Sequence, residues 1–534
     1  MKNANKTDPS SNTKNSSTLC SDDESAMRAV DTGRVTRSAS NEAHLETRHL
    51  LGDLKNLALS STAVSVTAQG AGFALNTLSV IALTRLLVPK DFGLVAMVTS
   101  VMGFIRVFRD VGLSIPTVQR AEITHAQVSN LFWINVVMGT SASLLLVAVA
   151  PAIVWFFGEP QLLAITLALA GTFFLSGLTV QHRAILARQM RFTAVSLIDL
   201  VTVTTGLVVG IVMALAEFRY WSLVGQMIST EITLVALTWT VCRWRPGLPV
   251  PRSGTRPLIT LGAGIAGGSL LYALARGTDT ILVGRFFGSD AVGLYSRAMA
   301  LLVRPLDQIL PALNSVFVPT LSRLQNDPVR YRRAFIRTFE AMALTVFPVT
   351  GLTLALAEPL TRVVFGPGWE GVTPIFASLA IGGLFLPLTN VATWIFYSSG
   401  RGGDWLKASV VLSALMIISF AAGLPFGPTG VASAFSISGV VIAQPVLYYL
   451  AGRRGAVSTT DLWVSASRYL PLWGAVYGST YLAHTMTVDQ SPLSQLLVCG
   501  PIGLLSGAMV AGIVAPIRRS AMDVLGAARD VLKR

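Results

Sequence analysis

The chain has 534 residues, 52% of them apolar and only 13% charged, with a mean hydropathy of +0.61. A soluble protein of this length cannot hide so much apolar surface, which excludes the three or four water-soluble domains the length would otherwise suggest. Lys and Arg outnumber Asp and Glu by 41 to 27, a formal charge of +14, and the placement of those cations decides whether they point to nucleic acid or to membrane orientation.

Residues 1–56 are rich in Ser, Asn, Thr and scattered charge, lack a periodic apolar face, and are predicted to form a disordered polar cytoplasmic tail. The first apolar run begins only near Leu57, so no cleavable signal peptide is expected and the first span acts as an uncleaved anchor. From there, windows of ~20 apolar residues recur, each able to cross a ~30 Å hydrocarbon core. Spans are expected at 61–88, 94–115, 129–157, 161–181, 193–216, 221–242, 258–283, 294–318, 338–357, 372–397, 408–425, 429–450, 470–487 and 493–516. The expected fold class is therefore all-α, a polytopic membrane protein of about 14 transmembrane helices. An N-lobe (57–242, spans 1–6) and a C-lobe (258–450, spans 7–12) are joined by a basic cytoplasmic linker at 243–257. Two extra spans (451–516) and a cytoplasmic tail (517–534) follow.

Loop charges test this count, because Lys and Arg in short loops are retained in the cytoplasm. One set of alternate loops carries Arg120; Arg183, Arg188 and Arg191; Arg243, Arg245, Arg252 and Arg256; Arg323 to Arg337; Arg401 and Lys407; and Arg453, Arg454 and Arg468. The other set is nearly bare, holding Arg85 and Lys90, then Arg219, Arg285 and Arg362. Both ends of the chain are basic, so both are expected in the cytoplasm. The net charge is mostly topology, and no nucleic-acid partner is expected.

An internal repeat is visible. Arg85-Leu-Leu-Val-Pro-Lys-Asp-Phe-Gly93-Leu94 closes the first span, and Arg285-Phe-Phe-Gly-Ser-Asp-Ala-Val-Gly293-Leu294 closes the seventh. Arg106 and Asp110 are echoed by Arg304 and Asp307, and Val154-Trp-Phe-Phe-Gly158 by Val363-Val-Phe-Gly366. Spans 1–6 and 7–12 thus read as two six-helix bundles in the same orientation, an arrangement in which substrate binds between the halves.

Charges inside spans are expensive and mark cavities or internal pairs. Span two holds Arg106, Arg109 and Asp110; span seven, Arg276 and Asp279; span eight, Arg297, Arg304 and Asp307. In each, a cation and a carboxylate sit three or four positions apart, on one helical face. They either neutralise each other and hold helices together or line a cavity, and a surplus of Arg suits an anionic, phosphate-bearing substrate. Arg106, Arg109, Arg276, Arg297 and Arg304 are therefore the candidate substrate contacts. Glu231 leads the candidates for ion coupling, followed by Asp110, Asp279, Asp307 and Asp199. Pro305, Pro311 and Pro319 suggest that span eight bends.

Other motifs carry little. Gly262-Ala-Gly264-Ile-Ala-Gly267 matches a dinucleotide fingerprint, but it opens an apolar span, and Gly264 and Gly268 suit close helix packing instead. No Walker loop, GxSxG or HExxH is present. Cys20, Cys242 and Cys499 are far apart and the five histidines scattered, so no metal site, cofactor or enzymatic activity is expected.

Leu83-Thr-Arg-Leu-Leu-Val-Pro-Lys-Asp-Phe-Gly-Leu-Val-Ala-Met97, Phe108-Arg-Asp-Val-Gly-Leu-Ser114, Val118-Gln-Arg120, Ile123-Thr124 and Leu131-Phe-Trp-Ile-Asn135 resemble the bacterial polysaccharide transporter family. The likeness is greatest to Wzx-type and colanic-acid-exporter-like oligosaccharide flippases of the multidrug/oligosaccharidyl-lipid/polysaccharide (MOP) superfamily. Gly293-Leu-Tyr-Ser-Arg297, Pro319-Thr-Leu-Ser-Arg-Leu324 and Phe365-Gly-Pro-Gly-Trp369 look like the second-half counterparts. The resemblance implies a flippase that moves undecaprenyl-pyrophosphate-linked oligosaccharide across the bacterial inner membrane for exopolysaccharide or lipopolysaccharide export, coupled to ion antiport. It places Arg106, Arg276 and Arg304 on cavity-lining helices, and gives Arg85 and Asp91 a structural turn. The implied partners are lipid-linked oligosaccharide, membrane lipids, and a polysaccharide polymerase with its export machinery. The rivals are a drug or organic-ion antiporter of the same superfamily, which should favour acidic cavity groups, and a lipid-linked peptidoglycan-precursor flippase.

Overall fold

A computed structural model describes residues 42, 45, 54–109, 114–120, 122–251 and 275–532. Among them there is no strand. The helices are α1 (Leu54–Leu86), α2 (Pro89–Arg109), α3 (Ser114–Gln119), α4 (His125–Phe157), α5 (Gln161–Gly177), α6 (Val180–Arg188), α7 (Phe192–Leu215) and α8 (Tyr220–Cys242) in the first half. The second half comprises α9 (Thr278–Arg323), α10 (Pro328–Ala355), α11 (Ala357–Phe365), α12 (Val372–Gly382), α13 (Leu386–Ser398), α14 (Gly402–Gly423), α15 (Gly427–Ser438) and α16 (Gln444–Gly452). Then come α17 (Thr459–Ser467), α18 (Leu470–Met486), α19 (Pro492–Ile513) and α20 (Ala515–Leu532).

Local chemistry starts and stops these helices where the turns require it. Thr124 and Gln127 cap the start of α4 reciprocally, and Asp327 caps α10 just ahead of Pro328, whose missing N–H is harmless in the first turn. Expected spans seven and eight are joined at Gly288, whose φ of 79° and ψ of −175° break α9 into two segments that only a glycine links without strain. Expected spans 10 and 12 are each broken, the first ahead of Pro387 and the second by a π-helical turn at Gly439–Ala443 just before Pro445.

Seven helical stretches among the described residues are long and apolar enough to cross a membrane. Helices α1, α2 and α9 are not among them, and these are the helices that carry polar groups into the interface between the halves. The chain is a multi-pass membrane protein whose loops fall into an arginine-rich and an arginine-poor set. Two expected segments have more structure than the sequence suggested. The described part of the linker, 243–251, folds back onto α4, with Asn130 exchanging a pair of 2.8 Å hydrogen bonds with the Val250 backbone. The C-terminal tail is the helix α20, docked by buried Ile517 and by Ser520, which donates to Glu340. Residues 252–274, with the glycine motif, lie outside the described residues, as does most of the N-terminal tail.

The two halves pack differently at their two ends. At the arginine-poor end they share one core, in which Leu83, Phe92 and Met97 of the first half meet Val283, Tyr295, Phe365 and Trp369 of the second. At the arginine-rich end each half has its own. Val128, Phe132, Ile185 and Trp244 make one cluster, and Tyr331, Phe339, Trp394, Tyr448 and Ile517 make the other.

Candidate functional site

Helix α2 and the second segment of α9 cross at the arginine-poor end, at the repeat found in the sequence. A Cβ on Gly93 would lie 1.7 Å from the Ser289 carbonyl oxygen, and one on Gly293 would lie 1.9 Å from the Pro89 carbonyl oxygen. Each glycine therefore receives the backbone of the residue equivalent to the one that its own copy supplies. The crossing is a local two-fold made by the internal repeat, and it admits no side chain.

A polar latch surrounds the crossing. Arg85 donates to the Val363 carbonyl at 2.8 Å, Trp369 Nε1 to the Thr84 carbonyl at 2.9 Å, and Ser289 to Glu159 at 2.8 Å. The Trp369 ring sits edge-on to Phe92 and stacks on Phe365. Arg85 thus reaches across to the other half, beyond the turn role expected for it. Asp91 is buried at the head of α2, where it accepts from the Val88 backbone N–H at 3.4 Å.

Directly beneath this seal lies a cavity of about 390 Å³ between α1 and α9. Phe73, Asn76, Thr77 and Val80 line it from α1, at positions i, i+3, i+4 and i+7, which form one helical face. Facing them, α9 presents Arg297, Ala300, Leu301, Arg304 and Pro305 with the same periodicity, and Val364 and Phe365 of the latch close the top. The Arg297 guanidinium lies 4.9 Å above the Phe92 ring, a cation–π contact that fixes it against the shared core while its buried Nε has no hydrogen-bond partner. Among the described side chains neither Arg297 nor Arg304 has a carboxylate partner, and both line the same cavity, seven residues apart on one helical face. Two cations facing one cleft without a described carboxylate partner suit an anion, because an incoming negative charge relieves their repulsion and the desolvation of the half-buried Arg297.

The other expected residues are dispersed. Arg106 is exposed on α2, and Arg276 is exposed just ahead of α9, next to Gly277, which rests on Phe104; neither lines the cavity. Asp279 is buried and accepts from the Tyr295 hydroxyl at 3.1 Å, tying together the two segments of α9. Asp199 forms a bidentate pair with Arg183 at 2.5 and 3.0 Å, so its charge is already balanced at the arginine-rich end of α7. Glu231 is half-buried in α8. Asp110 and the side chains of Arg109 and Asp307 lie outside the described residues. Asn76 and Thr77 were not anticipated; the only signal was an uncharged polar pair inside a long apolar span.

The chain thus has two helical halves with a shared core at one end, separate cores at the other and a polar cleft between them. Solved structures agree on the fold. A lipid II flippase, MurJ, in an inward closed conformation superposes with a TM-score of 0.67 at 14% identity, covering 85% of this chain and 99% of that one. A multidrug resistance MATE family transporter of the MOP superfamily gives 0.56 at 14% identity, over 75% and 99%. The chain belongs to the polysaccharide biosynthesis protein family, which it matches over residues 82–374. Among its relatives are the teichuronic acid biosynthesis protein TuaB of Bacillus subtilis, 26% identical over 66% of this chain and 72% of that one, and the succinoglycan biosynthesis transport protein ExoT of Rhizobium meliloti, 25% identical over 63% and 68%. The lipopolysaccharide biosynthesis protein WzxC of Escherichia coli is 21% identical over 73% and 80%.

Proposed function

We propose that this protein is a flippase that carries a polyprenyl-pyrophosphate-linked oligosaccharide across the bacterial inner membrane by alternating access. The observation that carries this is the pair of arginines, Arg297 and Arg304, which have no carboxylate partner among the described side chains and face the cleft below a sealed end. The arginine-rich end is the cytoplasmic one, following the positive-inside rule, and both termini lie there. In the conformation described, the lobes are locked at the outer end and held only by their own cores at the inner one. A lipid-linked headgroup enters from the cytoplasmic leaflet and its phosphates meet Arg297 and Arg304. The lobes then rock, the Gly93–Gly293 crossing parts, and the sugar leaves outward while the lipid tail stays in the bilayer. No covalent step is required. Buried Asp279 and half-buried Glu231 are the residues proposed to couple this cycle to an ion gradient, and a polymerase and export machinery would receive the product.

Relatives named for teichuronic acid, succinoglycan and lipopolysaccharide biosynthesis support oligosaccharide cargo over a drug, and an arginine-lined cleft is ill suited to organic cations. The test is lipid-linked glycan analysis in cells carrying Arg304→Ala or Arg297→Ala. Export should be lost at unchanged protein level, with lipid-linked oligosaccharide accumulating on the cytoplasmic leaflet. Normal export in both variants would remove the anionic-headgroup site from the scheme.

A further inference from the structure

The cavity has two walls of different hydrogen-bonding character. On α9, Arg297 and Arg304 can only donate, since a guanidinium has no acceptor. The α1 wall adds acceptors, beside one remaining Nδ2 proton of Asn76. Thr77 donates its single hydroxyl proton to the Phe73 carbonyl at 2.9 Å, so the face it turns outward is an acceptor. Asn76 donates from Nδ2 to the Gly72 carbonyl at 2.9 Å, which fixes the amide orientation and leaves Oδ1 as its free acceptor. Between them on the same helical face stands Phe73, 37% exposed, presenting a flat apolar ring.

We infer that the Asn76–Thr77–Phe73 face of α1 is a sugar-reading surface that contacts the hydroxyl groups of the first saccharide while Arg297 and Arg304 hold its phosphate. This rests on the flippase reading above and adds contacts to the hydroxyl protons, which the arginines cannot accept. A glycosyl phosphate carries acceptors at one end and hydroxyl donors at the other, joined by a ring whose C–H face packs on aromatic carbon, and the two walls offer the complement of each part. The volume, at the low end of the ~300–1,000 Å³ usual for ligand sites, suits one saccharide with its phosphate and leaves the rest of a repeat unit outside. A site built to pair with hydroxyls rejects a ligand lacking them more strongly than an apolar pocket does, because its polar groups are then left unpaired.

The test uses the purified full chain and short-chain prenyl pyrophosphates, bare or carrying one glucose, galactose or N-acetylglucosamine, with affinity read by titration. At least one glycosylated probe should bind wild type about tenfold more tightly than the bare one, the size of one or two good hydrogen bonds. Thr77→Val, which keeps the shape and removes the oxygen, and Asn76→Ala should collapse that ratio towards one without changing affinity for the bare probe. Thr77→Ser should restore it. Unchanged binding of the bare probe shows that the variants are folded. An unaltered ratio in both variants overturns the sugar-reading wall and leaves the phosphate site standing. Arg304→Ala should weaken every probe alike; failure of all probes to bind wild type overturns the phosphate site and this inference together.

Discussion

The two ends of the lobe interface are built on opposite principles. At the arginine-poor end the lobes meet backbone to backbone at Gly93 and Gly293, share a core, and exchange hydrogen bonds through Arg85, Trp369 and Glu159. At the arginine-rich end, ion pairs close within one lobe, Arg183 with Asp199 and Arg332 with Asp461, and each core is complete by itself. Contact between the halves is thus concentrated at one end, while each half keeps a core of its own at the other. Separation of the lobes need not unfold either of them, which is the physical requirement for rocking.

The largest effect should come from the crossing itself. With a Cβ placed 1.7 Å from a carbonyl oxygen, Gly93→Ala cannot close, and Gly293→Ala should behave identically. A cysteine introduced at Ala300 inside the cavity reports this, because Cys242 and Cys499 are buried and silent; Cys20 would be replaced by Ser. An impermeant thiol reagent applied from the arginine-poor side should leave Ala300→Cys shielded in the otherwise unchanged protein and label it most strongly when a glycine is substituted. No labelling in either glycine variant would mean that the crossing is not the seal.

Next in size is Trp369→Ala, which removes a buried aromatic worth about 3–5 kcal/mol of packing from the shared core. Labelling should rise strongly. Trp244→Ala, at the other end, should lower the melting temperature of the protein by a comparable amount and leave Ala300→Cys shielded; equal labelling in both would erase the distinction between the ends. Arg85→Ala removes one charged hydrogen bond from an exposed side chain, about 1 kcal/mol, and should raise labelling only a few-fold.

The smallest effect is expected at Asp461. Its hydrogen bond from Arg332 holds the Asp461 carboxyl down to about 2, well below the ordinary value near 4. A depressed carboxylate stabilises the fold above its unfolded value and loses that contribution as pH falls through the folded one, so the pair is fully present at pH 5 to 8. Because Arg332 is half exposed, Asp461→Asn should cost about 0.2–1 kcal/mol, equally at pH 5 and pH 8, by thermal melts. A difference between those two values would place another titrating group in the contact.

Much of this contrast is foreshadowed in the chain. Alternating arginine loops separate the two ends, and the Arg85–Gly93 and Arg285–Gly293 motifs mark the crossing, although sequence similarity cannot say that two similar segments touch each other. The all-helical, multi-pass character was legible because burial in lipid is a property of composition. Partnership was not, because it depends on which turns bring distant residues together. Asp199 looked like an isolated membrane carboxylate until the turn between α6 and α7 placed Arg183 beside it, and Asp279 met Tyr295 only through the break at Gly288. Asn76 and Thr77 escaped notice for a simpler reason: a search keyed on charge passes over neutral groups, and the α1 wall carries none.

The crossing at Gly93 and Gly293 also bears on the membrane's electrical insulation. Carbonyl packs directly against glycine there, roofed by the stacked Phe365 and Trp369 rings, so the contact has no room for a side chain. Moving an elementary charge through the bilayer potential is worth about 2.3 kcal/mol per 100 mV. A substitution that props the crossing open therefore does more than stop a transport cycle. It would short-circuit the gradient, and cells expressing Gly93→Ala should depolarise even when no cargo is made.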